Sequence, residues 1–163
     1  MTQDGSKVLT HVSADGKARM VDVSAKADTA RMARATGAIS MSQSTLAAIV
    51  ANAVAKGDVL AVARLAGIMA AKRTAELIPL CHPIALTDVA VTLTTDDTLP
   101  GVRVDAVART VGKTGVEMEA LTAATVALLT VYDMAKTLDR GMAIQDVALA
   151  EKSGGASGGY ARP

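Results

Sequence analysis

An α+β fold, with helices layered on a mostly antiparallel sheet in a single domain, is predicted by three observations. Two segments alternate apolar and polar residues across a turn sequence, and three stretches repeat apolar residues every three or four positions. The third is length: 163 residues suit one core before a second becomes favourable.

In chain order, residues 1–18 are polar and contain "ADGK", which predicts a mobile arm leading to a turn. The alternations in "RMVDVSAK" (19–26) and "RATGAISMS" (34–42) predict short strands, with Ala38, Ser40 and Ser42 set against Ile39 and Met41. A helix over about 44–55 follows from Ser and Thr capping candidates and the spacing of Leu46, Ile49, Val50 and Val54. A second, over 58–74, is capped by Asp58 and carries Val59, Val62, Leu65, Ala66, Met69 and Arg73 at intervals of three and four. "TDVAVTLTT" and "VRVDAVARTV" place Val89, Val91 and Leu93, and Val102, Val104, Ala106 and Ala108, on one face each. With "DDTLPG" between them they predict an antiparallel hairpin.

The longest helical signal runs from Val116 towards Gly141, with Gly115 before it. Met118, Leu121, Thr125, Leu128 and Tyr132 form one stripe beside Thr122, Val126 and Leu129, so the helix is apolar on more than one face. Burial on two sides follows, one against the sheet and the other against a second subunit. A last strand is expected over 142–150, before the Gly-rich end "EKSGGASGGY".

Composition excludes several classes. Aromatics make up 1% of the chain, so base stacking on rings is not available, and the net charge of +1 gives no global field for nucleic acid. No apolar run is long enough for a membrane span, the single cysteine cannot make an internal disulfide, and "MTQDGSKVLT" lacks a secretory pattern. A soluble, cytoplasmic protein is expected.

Chemistry-bearing residues fall into four groups. In "LIPLCHPIALTDVAV" Cys81 and His82 are adjacent between prolines. Neighbours in an extended segment point to opposite faces, which disfavours a Cys–His relay, and the only other histidine is His11, which disfavours zinc. The segment reads as a rigid turn or a ligand loop. Asp133 and Lys136 share one side of the long helix after thirteen uncharged residues, either as a surface ion pair or as a proton-transfer pair at a cleft. Glu117, Met118 and Glu119 open that helix, where carboxylates suit the dipole and could also accept N–H groups of a guanine-like edge. Finally, Lys56, Lys72, Arg73, Lys113 and Lys152 stand beside small or flexible residues, a pattern suited to phosphate, although "VGKTG" lacks the first glycine of a Walker A loop.

"MVDVSAK", "KGDV", "AKRT" followed by "LIPLCHP", "KTGVEMEALTA", "YDMAK" and "KSGG", in this order over about residues 9–158, resemble the molybdenum cofactor biosynthesis protein C family, the cyclic pyranopterin monophosphate synthases. The resemblance implies a ferredoxin-like protomer in a homohexamer, a trimer of dimers with sites between subunits. It implies an activity as well: rearrangement of the cyclised dihydro-GTP made by the preceding radical enzyme into the cyclic pyranopterin phosphate, with release of diphosphate. Carried over by position, the catalytic residues are Asp133, Lys136 and Lys56. Leu80, Cys81, His82, Met118 and Glu119 bind substrate, and Glu117, Lys72, Arg73 and Lys152 line the pocket. No resident metal or cofactor is implied, and a divalent ion such as magnesium accompanying the triphosphate is left open. One departure is Ala156, where members often carry a basic residue, which leaves more of the phosphate contact to Lys152. The implied organisation is an arm (1–18), a synthase domain (19–151) and a Gly-rich segment (152–163) closing over substrate. The alternative is a non-catalytic oligomeric binder of pterins or nucleotides.

Overall fold

The computed structural model describes residues 17–156 and 158–163, so the arm expected over 1–18 lies, up to residue 16, outside the described residues. The elements are β1 (Thr29–Ser40), α1 (Gln43–Val50), α2 (Val59–Ala71), the single turn α3 (Thr74–Leu77), β2 (Leu86–Asp96), β3 (Gly101–Gly112), α4 (Glu117–Ala135), β4 (Ala143–Ser153) and β5 (Tyr160–Ala161). The strands form one antiparallel sheet in the order β2-β3-β1-β4-β5. The first four strands and the helices between them give the ferredoxin-like βαββαβ arrangement, and β5 extends the sheet beyond β4.

The hairpin is as the alternation predicts. Val91, Leu93, Val102, Val104, Ala106 and Ala108 are all buried, and Asp96 shapes the connection by accepting from the backbone N–H of Thr98 at 2.8 Å. Five expectations need correction. Residues 19–26 form no strand: Asp22 accepts from Ser24 N and Val23 from Lys26 N, so side-chain and turn hydrogen bonds take the place of a ladder. β1 starts at Thr29, well before residue 34, and keeps its alternation in unbroken register with β3, although Ala38 is buried on one face as Ile39 is on the other. α1 stops at Val50, short of 55, because Asn52 adopts a positive φ of 52° and the N–H groups of Asn52 and Ala53 return to Ile49 and Ala48. α2 is capped by Asp58 as expected but ends at Ala71, and residue 74 begins α3. α4 ends at Ala135 and not near Gly141: the Asp139 carboxylate accepts from Ser42 N and Gly141 N, each at 2.8 Å, which fixes a turn that joins the start of α1.

The expected packing faces also change. On α2 the inward residues are Val59, Ala63, Gly67, Ala70 and Ala71, while Val62, Leu65 and Met69 face outward. On α4 the buried row includes Ala120, Ala123, Ala124, Ala127 and Val131, and Leu129 is exposed. The two covered sides of α4 are thus the sheet and α2 of the same protomer. Small residues decide this, because they let helix axes approach closely and gain dispersion contacts along the whole seam.

A Cβ on Gly67 would sit 2.8 Å from Ala123 O and 3.2 Å from Ala127 Cβ. Gly67→Val is therefore expected to destabilise the protein by about 2–3 kcal/mol, read as a lower urea midpoint at unchanged m-value.

Among the described residues α4 alone has the length and apolarity to cross a membrane, and 56% of that apolar window is buried inside this fold. It is a core helix, and its two ends reach different regions of the surface.

Candidate functional site

A cavity of about 350 Å³ opens beside the N-terminal end of α4. Its walls come from three segments: Val21, Val23 and Lys26; Leu80, Cys81, His82 and Ile84; and Thr114 to Glu119 except Val116. The middle segment owes its shape to the two prolines. Cys81 N donates to Ile78 O at 3.1 Å, closing a turn with Pro79 in the position that favours its fixed φ, and Pro83 keeps His82 out of helical backbone. Thr110 Oγ1 donates to Ala85 O at 2.7 Å and fastens the far end to β3.

His82 Nε2 lies 2.8 Å from Val21 O. A carbonyl can only accept, so the proton sits on Nε2 and Nδ1 is left as the ring's other polar atom. The same contact holds Val21 over the cavity, and Lys113 Nζ donates to Ser24 O at 2.7 Å to hold the next turn. Burial pushes the Cys81 thiol above its ordinary range, with a further push from Glu119, so it is not activated as a nucleophile.

Glu119 is 3% exposed, and its carboxyl is pushed up chiefly by burial and further by the neighbouring Glu117. Glu117 is paired with Lys152 Nζ at 3.0 Å, and Lys152 belongs to β4, which runs to Ser153 instead of ending near 150. The structure therefore joins the start of α4 to the end of β4. Lys72 and Arg73 are not in this cavity. They line a smaller one of about 150 Å³ behind the loop, which shares Ile84 and Glu119 with the first.

Lys56, Asp133 and Lys136 form a second cluster. Lys56 Nζ donates to Asp133 Oδ2 at 2.7 Å and to Asp133 O at 3.0 Å, while Lys136 Nζ lies 2.7 Å from Asp133 Oδ1. Lys136 is the C-cap residue just after α4, and Lys56 reaches Asp133 from the loop after α1. Both cations therefore also meet the negative end of the helix dipole. Lys136 first, and Lys56 next, hold the Asp133 carboxyl down to about 2. Each of the three side chains is about half exposed, so the cluster faces solvent in the protomer. Helical spacing had placed only Asp133 beside Lys136; the third member comes from 77 residues away in sequence.

The two clusters do not meet within the protomer. Glu119 and Asp133 stand about 21 Å apart along α4, at about 1.5 Å of rise per residue.

The model of the MoaC family matches residues 20–155 of this chain. The chain belongs to the MoaC family. It is 60% identical over 153 residues to the cyclic pyranopterin monophosphate synthases of Brucella ovis and Brucella abortus (strain 2308), covering 94% of this chain and 93% of each relative. Identity to the synthase of the same name from Methylobacterium sp. (strain 4-46) is 62% over 153 residues, covering 94% of this chain and 96% of that relative.

Within this MoaC chain, Lys26 and Thr114 are wall residues that sequence reasoning passed over. Lys26 closes "MVDVSAK", a stretch legible as an alternation and as a family motif, while no local spacing shows its cation reaching a cavity.

Proposed function

We propose that this chain is a cyclic pyranopterin monophosphate synthase, a lyase that converts the cyclised dihydro-GTP into the cyclic pyranopterin phosphate and diphosphate in molybdenum cofactor biosynthesis. The observation that carries this reading is the near full-length 60% identity to synthases of that name. In the last step a sugar-derived hydroxyl attacks the α-phosphorus, forming one P–O bond, while the P–O bond to diphosphate breaks. Such a step needs aligned groups and positive charge on the phosphates.

The residues divide as follows. Leu80, Cys81, His82, Met118 and Glu119 bind the base-derived end, with Glu119 accepting N–H groups. Glu117 and Lys152, with Lys72 and Arg73 behind the loop, complete the pocket, and the Gly-rich end closes over the ligand. Lys56 and Lys136, held by Asp133, carry the proton transfers and neutralise phosphate. A carboxylate held down to about 2 is a weak base at neutral pH, so Asp133 orients the two lysines, which handle the protons.

The distance between the clusters supports an oligomer in which α4 of one protomer brings its C-terminal end to the cavity of another. In the hexameric, trimer-of-dimers form, the exposed Val62, Leu65, Met69 and Leu129 are the apolar surface that such contacts would cover. A cytoplasmic location belongs to the same proposal, since a lone thiol suits a reducing compartment.

The test is incubation of the full chain with cyclised dihydro-GTP, following diphosphate and cyclic pyranopterin phosphate. Binding without turnover would instead favour a pterin or nucleotide binder. In the same assay Cys81→Ser is expected to keep activity within about threefold, because the thiol is a packing group, whereas His82→Ala should lose about a hundredfold in kcat/KM.

A further inference from the structure

Arg31, on β1, lines neither cavity. Its Nε donates to Gly112 O at 2.8 Å and its Nη2 to Lys113 O at 3.1 Å, so its guanidinium grips the chain where β3 leaves the sheet towards Glu117. On its other side lies the turn that follows Lys152. Gly154 and Gly155 adopt φ of +91° and +78°, and a Cβ on Gly155 would overlap the Arg31 Nη1 and stand 2.9 Å from its Cζ. A Cβ on Gly154 would likewise overlap Ala30 O. The glycine backbone therefore rests directly on the arginine, in a conformation that side chains disfavour.

These contacts close a ring. Arg31 holds Lys113, the chain continues to Glu117, Glu117 pairs with Lys152 at 3.0 Å, and Gly154 and Gly155, two and three residues further on, return to Arg31. Lys113 passes the restraint on to the segment over the cavity through Ser24 O. A planar fork can address two successive carbonyls and still present a flat face to the glycine backbone, which an ammonium cannot do.

We propose that Arg31 is a positioning residue of the synthase site, setting the Gly-rich turn and the 112–115 segment against each other so that Lys152 and Glu117 stand correctly at the cavity. The inference rests on the function proposed above, and its test separates the two. If the wild-type chain does not turn over cyclised dihydro-GTP, the functional reading fails. The ring is then read without substrate, by hydrogen exchange: Arg31→Ala should speed exchange at 112–115 and 154–156 together, and unchanged exchange at either overturns the coupling.

With an active wild type, Arg31→Ala and Arg31→Lys should each raise KM about tenfold and leave kcat within about threefold. In a Lys152→Ala background, Arg31→Ala should add less than about twofold to KM, because both changes release the same element. An unchanged KM overturns the proposal, as does a full multiplicative effect in that background, which would mean that Arg31 acts on substrate independently of Lys152. Should Arg31→Ala not fold, Gly155→Ala replaces it, since its methyl displaces the guanidinium. The same KM rise is expected, and wild-type KM overturns the idea.

Discussion

Asp133→Asn should lower kcat by about a thousandfold while substrate affinity stays within about threefold of wild type, with Lys136→Ala and Lys56→Ala falling in the same range. The physical reason is the arrangement around one carboxylate. Asp133 gives one oxygen to Lys136 and the other to Lys56, both at 2.7 Å, so the three side chains share one geometry. Asparagine keeps the size but loses the charge that holds two mutually repelling ammonium groups together. Pre-steady-state diphosphate release beside equilibrium binding checks this, because the change belongs to chemistry and not to capture. Wild-type rates in Asp133→Asn and Lys136→Ala would falsify the assignment. Since the Asp133 carboxyl stays ionised down to about 2, no acid limb of the rate profile at ordinary assay pH should belong to it.

Two inactive variants should restore each other. His82→Ala disables the cavity at one end of α4, and Asp133→Asn disables the cluster at the other, about 21 Å away by helix rise. If one site takes its cavity from one protomer and its lysine–aspartate cluster from another, random co-assembly leaves about a quarter of the sites with both halves intact. Co-expressed chains with distinct tags, purified as mixed oligomers, are thus expected to show about a quarter of wild-type activity, while each variant alone shows almost none. Mixed oligomers as inactive as their parents would mean that the halves do not combine across protomers.

Legibility varied with the range of the interaction. The β2–β3 hairpin, the Asp58 cap and the existence of every helix longer than one turn among the described residues follow from local periodicity and capping chemistry, and the structure has them. Helix ends were less legible. Asn52 stops α1 through a left-handed backbone that asparagine tolerates, a signal present in the sequence, whereas α4 stops where Asp139 finds Ser42 N, 97 residues away. The α2 stripe misled for a different reason. Hydrophobic spacing marks large side chains, yet Gly67 and Ala63 face α4 because close approach of two helices favours small ones, leaving Leu65 59% exposed.

At the site, the sequence already contained the proline-braced loop, the carboxylates that open α4 and the Asp133–Lys136 pair, since all three depend on neighbours within a few residues. Family membership was legible there as well, in motifs whose order survives without coordinates. Tertiary structure was needed to bring Lys56 to Asp133, Lys152 to Glu117 and Val21 to His82, and to set Lys72 and Arg73 behind the loop instead of inside it. It was needed, too, to show the two clusters held apart by a rigid helix. Those facts depend on strand order and helix packing, which sum many weak long-range contacts, and no local spacing of residues encodes them.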